Sequence, residues 1–388
     1  MKQLHVEQLA QIEKADVEFG DLTLLVGPQA SGKSVFLQLF KLVQDHGPIT
    51  KTLKQYGYSF GPGATEGAGD PLLTLMFGEG MGSIWRHNTV VKSGNRQVDL
   101  ASLRKGNGKY QESVFFVPAQ RVLTLDQGRP RSYESFAALD PFVVKSFSEK
   151  LRRLMEKGFG RQDSQLFPIK TRLKEVLRDR INDSIFHGAT VTQEVHDLKK
   201  RIVINVDGAT LPFMAWSAGQ REFMPLLFSL HWLMPYAGTS SREGVDWVVI
   251  EEPEMGLHPQ AIQSLLLICL DLMYRGYKVV ISTHSPLLLE AAWAICTLQE
   301  NKGTPEALFE LFDLPDSSGM RKVFNSVLFD KAVRSFYFEP GEKGVTTRDI
   351  SSLDPFSEDD SIADWGGITQ FSSRASDVIS RLMQEADE

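Results

Sequence analysis

The residues Gly27-Pro28-Gln29-Ala30-Ser31-Gly32-Lys33-Ser34 fit the spacing G-x-x-x-x-G-K-S. They lie between an apolar run, Leu22 to Val26, and a helical pattern that starts at Ser34 with Val35 behind it. A strand, a glycine-rich turn and a helix in that order make a cradle for phosphates. The glycines let backbone N–H groups curl around the anion, and the helix N-terminus adds positive potential. Lys33 is placed to reach the β- and γ-phosphates of ATP, and the Ser34 hydroxyl to ligate Mg²⁺.

Two carboxylates complete that chemistry. Val248-Val249-Ile250-Glu251-Glu252 is an apolar strand ending in adjacent acids, which a period of two would send in opposite directions. Glu251 is then expected to hold the Mg²⁺ shell beside Ser34, and Glu252, at the strand tip, to orient the attacking water. Thr283-His284-Ser285-Pro286 follows the next apolar strand, Lys278 to Ser282, so His284 is expected at the same sheet edge as Glu252, within reach of a γ-phosphate oxygen. Ser217 is followed three residues later by Gln220, a capping-box signal before the apolar stretch Phe223 to Leu233. The helix start so marked, with Gly219 inside it, reads either as a plain cap or as a second anion-receiving site.

The elements around these residues read as follows. Strand signals lie at Leu4–Leu9, Leu22–Val26, Ile202–Val206, Val245–Ile250 and Lys278–Ser282, and a helical pattern spans Gln260 to Tyr274. Strand, helix, strand is the rhythm of an α/β sheet with crossover helices. The stretch from Gly57 to Gly108 is glycine-rich with scattered strand-like runs such as Leu72–Met76, which suggests a meander. The reading divides the chain into an ATPase lobe at 1–141, a helical insert at 142–201, a second ATPase lobe at 202–300 and an acidic appendage at 301–388. Lys145–Arg201 carries 14 Lys/Arg against 8 Asp/Glu, and residues 301–388 carry 9 against 17, so the two regions present either plain solvated faces or surfaces for different partners.

With 388 residues, 42% hydrophobic and 23% charged, the chain is long enough for a proper core and falls outside the disordered and fibrous classes. A net charge of −7 argues against a globally basic nucleic-acid coat protein. No apolar run is long enough to span a bilayer and the N-terminus lacks a basic-then-apolar leader pattern, so a cytoplasmic, membrane-free protein is expected. Cys269 and Cys296 sit in apolar surroundings and read as reduced core residues.

The phosphate loop, Ser217 to Glu222, Glu251-Glu252-Pro253-Glu254, Leu257-His258-Pro259 and Thr283-His284-Ser285-Pro286 occur in the order of the ABC-type ATPases. More narrowly, "IEEPEMGLHP" followed by "STHSP" resembles the branch containing overcoming-lysogenization-defect (OLD) ATPases, the ATPase subunits of bacterial anti-phage systems such as Septu and PARIS, and repair and SMC-like proteins. That resemblance covers the first fifty residues and about 202–289. It implies an ABC-type P-loop head with a mixed sheet, and a homodimer or higher homo-oligomer in which Ser217 and Gly219, with Gln220 beside them, contact the γ-phosphate held by the opposite subunit. It also implies that Met255 to His258 signals between the two sites, and that "VFFVPAQR", Val114 to Arg121, is the place of the Q-loop, with Gln120 sensing Mg²⁺ and water. Gln29 stands where this branch commonly has asparagine, and Ala218 where the signature commonly has glycine. Both positions act through the backbone, so the chemistry survives.

OLD proteins carry a TOPRIM nuclease built on a glutamate and a D-x-D pair, and nothing after His284 offers that set; Glu358-Asp359-Asp360 reads as solvated charge in a polar loop. The expected function is therefore an ATP-hydrolysing switch that controls a separate effector protein, a nuclease or toxin, in anti-phage defence. The alternative is a repair or chromosome-associated ATPase that grips DNA through Lys150, Arg152, Arg153, Lys170, Arg172 and Lys174. A non-catalytic scaffold would have no need of a water-positioning Glu252, and a transporter engine is disfavoured by the Glu-Glu-Pro-Glu wording. Trp365-Gly366-Gly367 with Phe371 reads as a docking patch or as core packing.

Overall fold

The computed structural model describes residues 1–60, 69–106, 111–157, 165–168, 172–234 and 241–354, and of the C-terminal stretch 357, 359–363, 365, 367, 374–375 and 378–379. Ten strands form one sheet: β1 (Gln3–Leu9), β2 (Ile12–Glu18), β3 (Leu22–Val26), β4 (Trp85–Ser93), β5 (Arg96–Gln97), β6 (Val114–Val117), and, after six strands that lie elsewhere, β13 (Trp247–Glu251), β14 (Lys278–Thr283), β15 (Val333–Gly341) and β16 (Gly344–Asp349). Their order is β5-β4-β1-β2-β16-β15-β3-β14-β13-β6. The five strands from β15 to β6 run parallel, while β15–β16, β1–β2, β1–β4 and β4–β5 are antiparallel, so the sheet is mixed as expected.

The parallel strands are buried on both faces, which is why they read as unbroken apolar runs rather than as alternating ones. Period two still sorts their side chains. Leu24, Val26, Val248 and Ile250 enter one core, Leu25, Trp247 and Val249 the other. The first core lies under α6 (Ala218–Leu233), α7 (Pro259–Tyr274), α8 (Pro286–Glu300) and α10 (Ser318–Asp330); the second lies under α1 (Lys33–Gln55) and α2 (Pro71–Phe77). Cys269 is fully buried in the first, where burial pushes its thiol up to about 12, as suits an inert core cysteine.

Helix α1 carries a buried charge cluster that sequence reading missed. Pro48 cannot donate to residue 44, and Asp45 leaves helical geometry at φ −123°. The freed Asp45 carboxylate accepts from Ser113 N (2.8 Å), Ser113 Oγ (2.8 Å), Val114 N (3.0 Å) and Lys41 Nζ (2.6 Å), so it joins α1 to the start of β6. Burial works against the Lys41 ammonium, yet Asp45 and Glu112 outweigh it and hold its pKa above the ordinary value. Asp45→Ala is expected to destabilise the chain by about 3–5 kcal/mol in urea melts, because it leaves the N–H groups of Ser113 and Val114 unpaired and removes one of the two carboxylates that hold the buried Lys41 ammonium. A loss below about 1 kcal/mol, the size of a neutral hydrogen bond, contradicts this role.

Three expectations need correction. Residues 142–201 are only half helical: after α4 (Phe142–Lys157) come β9 (Gln165–Phe167), α5 (Glu175–Ile181) and β10 (Thr190–His196), and β9 and β10 pair with β11 (Lys199–Val206) and β12 (Ala209–Pro212) in a separate four-stranded sheet. The strand-like run Leu72–Met76 lies in α2, because Asp70 caps the N–H groups of Leu72 and Leu73 and Pro71 opens the helix. Residues from 301 onward are not an appendage, since β15 inserts between β3 and β16 and pairs Phe336 with Leu25 and Tyr337 with Val26. Trp365 is buried, and its indole N–H donates to Leu353 O at 3.0 Å, so this residue of the patch packs into the core; Gly367 is exposed, and Gly366 and Phe371 lie outside the described residues.

Candidate functional site

The phosphate loop connects β3 to α1. Gly27 has φ +146°, and a Cβ there would meet the Phe338 carbonyl of β15 at 2.7 Å, so the C-terminal strand sets how closely the loop can lie and glycine is required. Ala30, at φ +60°, is held by Gln11, whose amide donates to Ala30 O at 3.1 Å. Pro28, Gln29 and Ala30 are exposed, whereas Ser31, Gly32, Lys33 and Val35 are buried and Ser34 is half-buried. Gly32 at the start of α1 makes no side-chain cap, which leaves the first-turn N–H groups of a 23-residue helix for a ligand. Lys33 Nζ donates to Gly27 O (2.7 Å), Pro28 O (2.8 Å) and Ser31 Oγ (3.3 Å). Burial lowers its pKa to about 8, with Glu252 and Glu254 opposing that shift. An anion over the loop would draw the ammonium out of these carbonyls.

Strand β13 runs beside β14 in parallel, with Glu251 opposite Ser282. Glu251 is 2% exposed; its Oε2 accepts from Ala119 N at 3.2 Å, and its Oε1 is buried without a hydrogen-bond partner. Burial raises its carboxyl to about 7, against the pull of the Ser34 hydroxyl and the Ala119 N–H. An orphaned buried carboxylate oxygen beside a serine hydroxyl is an oxygen-donor set that suits Mg²⁺, which takes one or two protein ligands and fills its shell from phosphates and water. Among the described residues no group of three His, Cys, Asp or Glu forms a denser metal site. Gln120 follows Ala119 on the same loop, exposed.

Because Glu251 bears a raised pKa, the unfolded chain loses this proton first. Stability therefore falls as pH rises from about 4.5 to about 7, and the penalty is complete above that range. Glu251→Gln in chelator is expected to be more stable than the parent at pH 8, by on the order of 1–3 kcal/mol in urea melts, with the difference vanishing at about pH 4. An equal difference at both pH values contradicts the buried-carboxylate assignment.

The strand ends one residue earlier than the sequence suggested. Glu252 already adopts φ +42°, a strained conformation for a non-glycine residue, held by Glu252 N donating to Ser282 O at 2.9 Å. That twist aims the side chain at His284, with Oε1 and Nε2 3.6 Å apart. Glu254 fixes the histidine's backbone: its Oε1 accepts from His284 N (2.6 Å) and Thr283 Oγ1 (2.8 Å). Lys33, Ser34, Glu251, Glu252 and His284 thus gather at the C-terminal ends of three adjacent parallel strands, where open α/β sheets receive ligands.

Ser217 caps α6 as the spacing predicts. Its Oγ accepts from Gln220 N (3.2 Å) and its N–H donates to Gln220 Oε1 (3.1 Å). Gln220 Nε2 also donates to Ile185 O (3.2 Å), so both ends of the Gln220 amide are engaged in the cap and in packing within the chain. Gly219 lies where a Cβ would come within 3.0 Å of Gly256 O, so α6 starts against the Met255–His258 loop. Among the described residues no hydrogen bond or ion pair joins Ser217, Gly219 or Gln220 to the phosphate loop of the same chain.

Arg121 is the residue that sequence reading passed over, quoted only as the last letter of a loop. It is 0% exposed. Its guanidinium donates to the carbonyls of Glu222 (3.1 Å), Glu251 (3.2 Å), Glu252 (3.1 Å) and Pro253 (3.2 Å), and pairs with Glu222 Oε2 at 3.4 Å. One side chain therefore clamps the strained end of β13 and ties it to α6. An arginine four residues beyond the apolar strand β6 was the available signal.

The family profile described as "AAA domain, putative AbiEii toxin, Type IV TA system" matches residues 22–290, more than half of the chain. The "Old nuclease" of Escherichia phage P2 is 39% identical over 69 residues, which is 17% of this chain and only 12% of that protein. Among solved structures, the SMC head bound to the C-winged helix domain of ScpA is similar at 9% identity, covering 90% of this chain and 96% of that one with a TM-score of 0.41. The SMC head domain from Thermotoga maritima matches at 12% identity, 90% and 98% coverage and a TM-score of 0.35. A bacterial ABC transporter cassette solved as a dimer matches at 11%, 73% and 88%, with a TM-score of 0.32. With its phosphate loop, β13 carboxylates and strand-end histidine all inside the matched range, the chain belongs to this family of P-loop AAA ATPase domains.

Proposed function

We propose that the chain is an ATP-hydrolysing switch that closes as a homodimer around two ATP molecules and so controls a separate effector, a nuclease or toxin, in anti-phage defence. The observation that supports it best is the meeting of Glu252 and His284, 3.6 Å apart, at the strand ends that also carry Lys33 and Glu251. The step is an in-line attack of water on the γ-phosphate. Glu252 takes up and orients the water, His284 holds a γ-phosphate oxygen, and Lys33 leaves its loop carbonyls to bridge the β- and γ-phosphates. Ser34 and Glu251, with Gln120 next to them, would hold Mg²⁺, which neutralises phosphate charge when bound. Ser217 and Gly219 of a second copy would close the pocket, which accords with their lack of any bond to the phosphate loop of their own chain.

The defence setting rests on the motif wording and on the short likeness to the phage P2 Old nuclease. The DNA reading is weaker. Lys150 pairs with Glu112, Arg152 with Glu149 and Glu156, Arg153 with Glu149, and Lys174 with Asp271, so these four candidate DNA contacts are already paired within the molecule. Lys170 lies outside the described residues. Among those residues no helix is long and apolar enough to cross a membrane.

The test is phosphate release alongside light scattering. The parent is expected to hydrolyse ATP and to double its mass with ATP but not ADP, and Lys33→Ala to lose both properties. Hydrolysis that persists in Lys33→Ala, or a mass indifferent to nucleotide, contradicts the reading.

A further inference from the structure

A cleft of about 1030 Å³ opens beside the nucleotide site, between the turn at 121–124, the ribbon of β7 (Leu125–Asp126) and β8 (Arg129–Pro130), α4, and the tip of the β10–β11 hairpin. Its charge is one-sided. Arg129, Arg131, Lys199 and Arg221 line it; Arg152 is neutralised by Glu149 and Glu156, which leaves Asp126 as the opposing carboxylate among the described residues that line it. Arg129 donates to His196 O (2.7 Å) and Arg131 to Ser135 O (2.6 Å), carbonyls that hold the guanidinium planes in place without cancelling their charge.

The same cleft exposes large apolar side chains: Leu123 at 60%, Met214 at 65% and Leu198 at 98%. Leu198 is the most telling. His196 pairs with Lys199, so Asp197 and Leu198 form a two-residue hairpin turn, and both have positive φ (50° and 60°). Such turns favour Asn-Gly, and a leucine there is strained as well as wet. Stability alone would not place it there; a leucine knob held out above a basic cleft serves contact with something else.

We propose that this cleft docks an acidic segment of a separate protein, with leucine-like side chains seated on Leu123, Leu198 and Met214 and carboxylates meeting Arg129, Arg131, Lys199 and Arg221. Charge complementarity selects an acidic partner, and the apolar knobs favour a peptide over a phosphodiester backbone, which offers no aliphatic surface. The location supplies the consequence. Leu123 sits two residues from Arg121, which clamps the end of β13, while Met214 and Arg221 flank the Ser217 cap, so a docked segment lies next to the elements that carry both. This rests on the switch reading and identifies where its effector is held.

The probe is a labelled peptide of alternating Asp/Glu and Leu, titrated by fluorescence anisotropy onto the full chain, with an all-acidic peptide and oligothymidine as comparisons. The acidic–leucine peptide is expected to bind, and Lys199→Glu and Leu198→Ser each to weaken it about tenfold, while ATP turnover without peptide stays as in the parent. Saturating peptide is expected to change kcat in the parent and not in Lys199→Glu. Affinity unaffected by both substitutions overturns the proposal. So does preferential binding of oligothymidine, which makes the cleft a nucleic-acid groove, or loss of ATP-dependent dimerisation in Leu198→Ser, which makes a second copy its occupant. Absence of ATP turnover in the parent removes the switch reading, and the anisotropy result then stands by itself.

Discussion

Glu252→Gln is expected to lower kcat for ATP by about 10²–10⁴-fold, the usual worth of a positioned base, while ATP affinity stays within about threefold of the parent. The amide keeps the shape of the side chain and its φ +42° backbone, so the pocket is preserved. What is lost is the proton acceptor beside His284. In the proposed switch closure depends on ATP and opening on hydrolysis, so the variant should accumulate as the doubled-mass species. Phosphate-release kinetics and a nucleotide-binding titration check the two halves separately. Unchanged kcat removes Glu252 from the mechanism, and loss of ATP binding would assign it a purely structural place.

The second large effect belongs to Arg121. Arg121→Met deletes a buried cation and leaves the carbonyls of Glu251, Glu252 and Pro253 without their donor. A cost of about 3–5 kcal/mol is expected in urea melts, as for other buried charges removed from one side only. Arg121→Lys keeps the charge, and burial of a single ammonium cannot reproduce four carbonyl contacts spread over β13 and α6. That variant should fold and lose hydrolysis about 10- to 100-fold in kcat with KM little changed, since a displaced Glu252 affects attack more than binding. Full activity in Arg121→Lys would show that the clamp does not position the carboxylate.

The phosphate loop, the acidic strand end, His284 and the Ser217 cap were legible because each joins a residue-type requirement to a local element. A glycine must sit at Gly27, a helix must start at Ser217, and a strand must end near Glu252. Arg121 and the Asp45 cluster were not, because buried charge looks the same as surface charge along a sequence. Only the pairing of β6 with β13 reveals where the Arg121 guanidinium points. The C-terminal strands were misjudged for a related reason. β15 lies more than three hundred residues from β3 in sequence, and no local pattern says that it inserts between β3 and β2's partner β16 or that Phe338 abuts Gly27. The half-stranded insert was hidden by charges that suit a helix face and a hairpin edge equally well.

The account turns on an ATP pocket shared between two copies of the chain. Lys33→Ala spoils the phosphate loop and Ser217→Arg the opposite wall, so each variant alone should be inactive. Mixed in equal amounts they should recover phosphate release, at most about a quarter of the parental level, since only unlike pairs hold an intact pocket and each holds one. Recovery up to that level is the result this account predicts. No recovery in a mixture shown to form heterodimers, or full activity in Ser217→Arg alone, would contradict it.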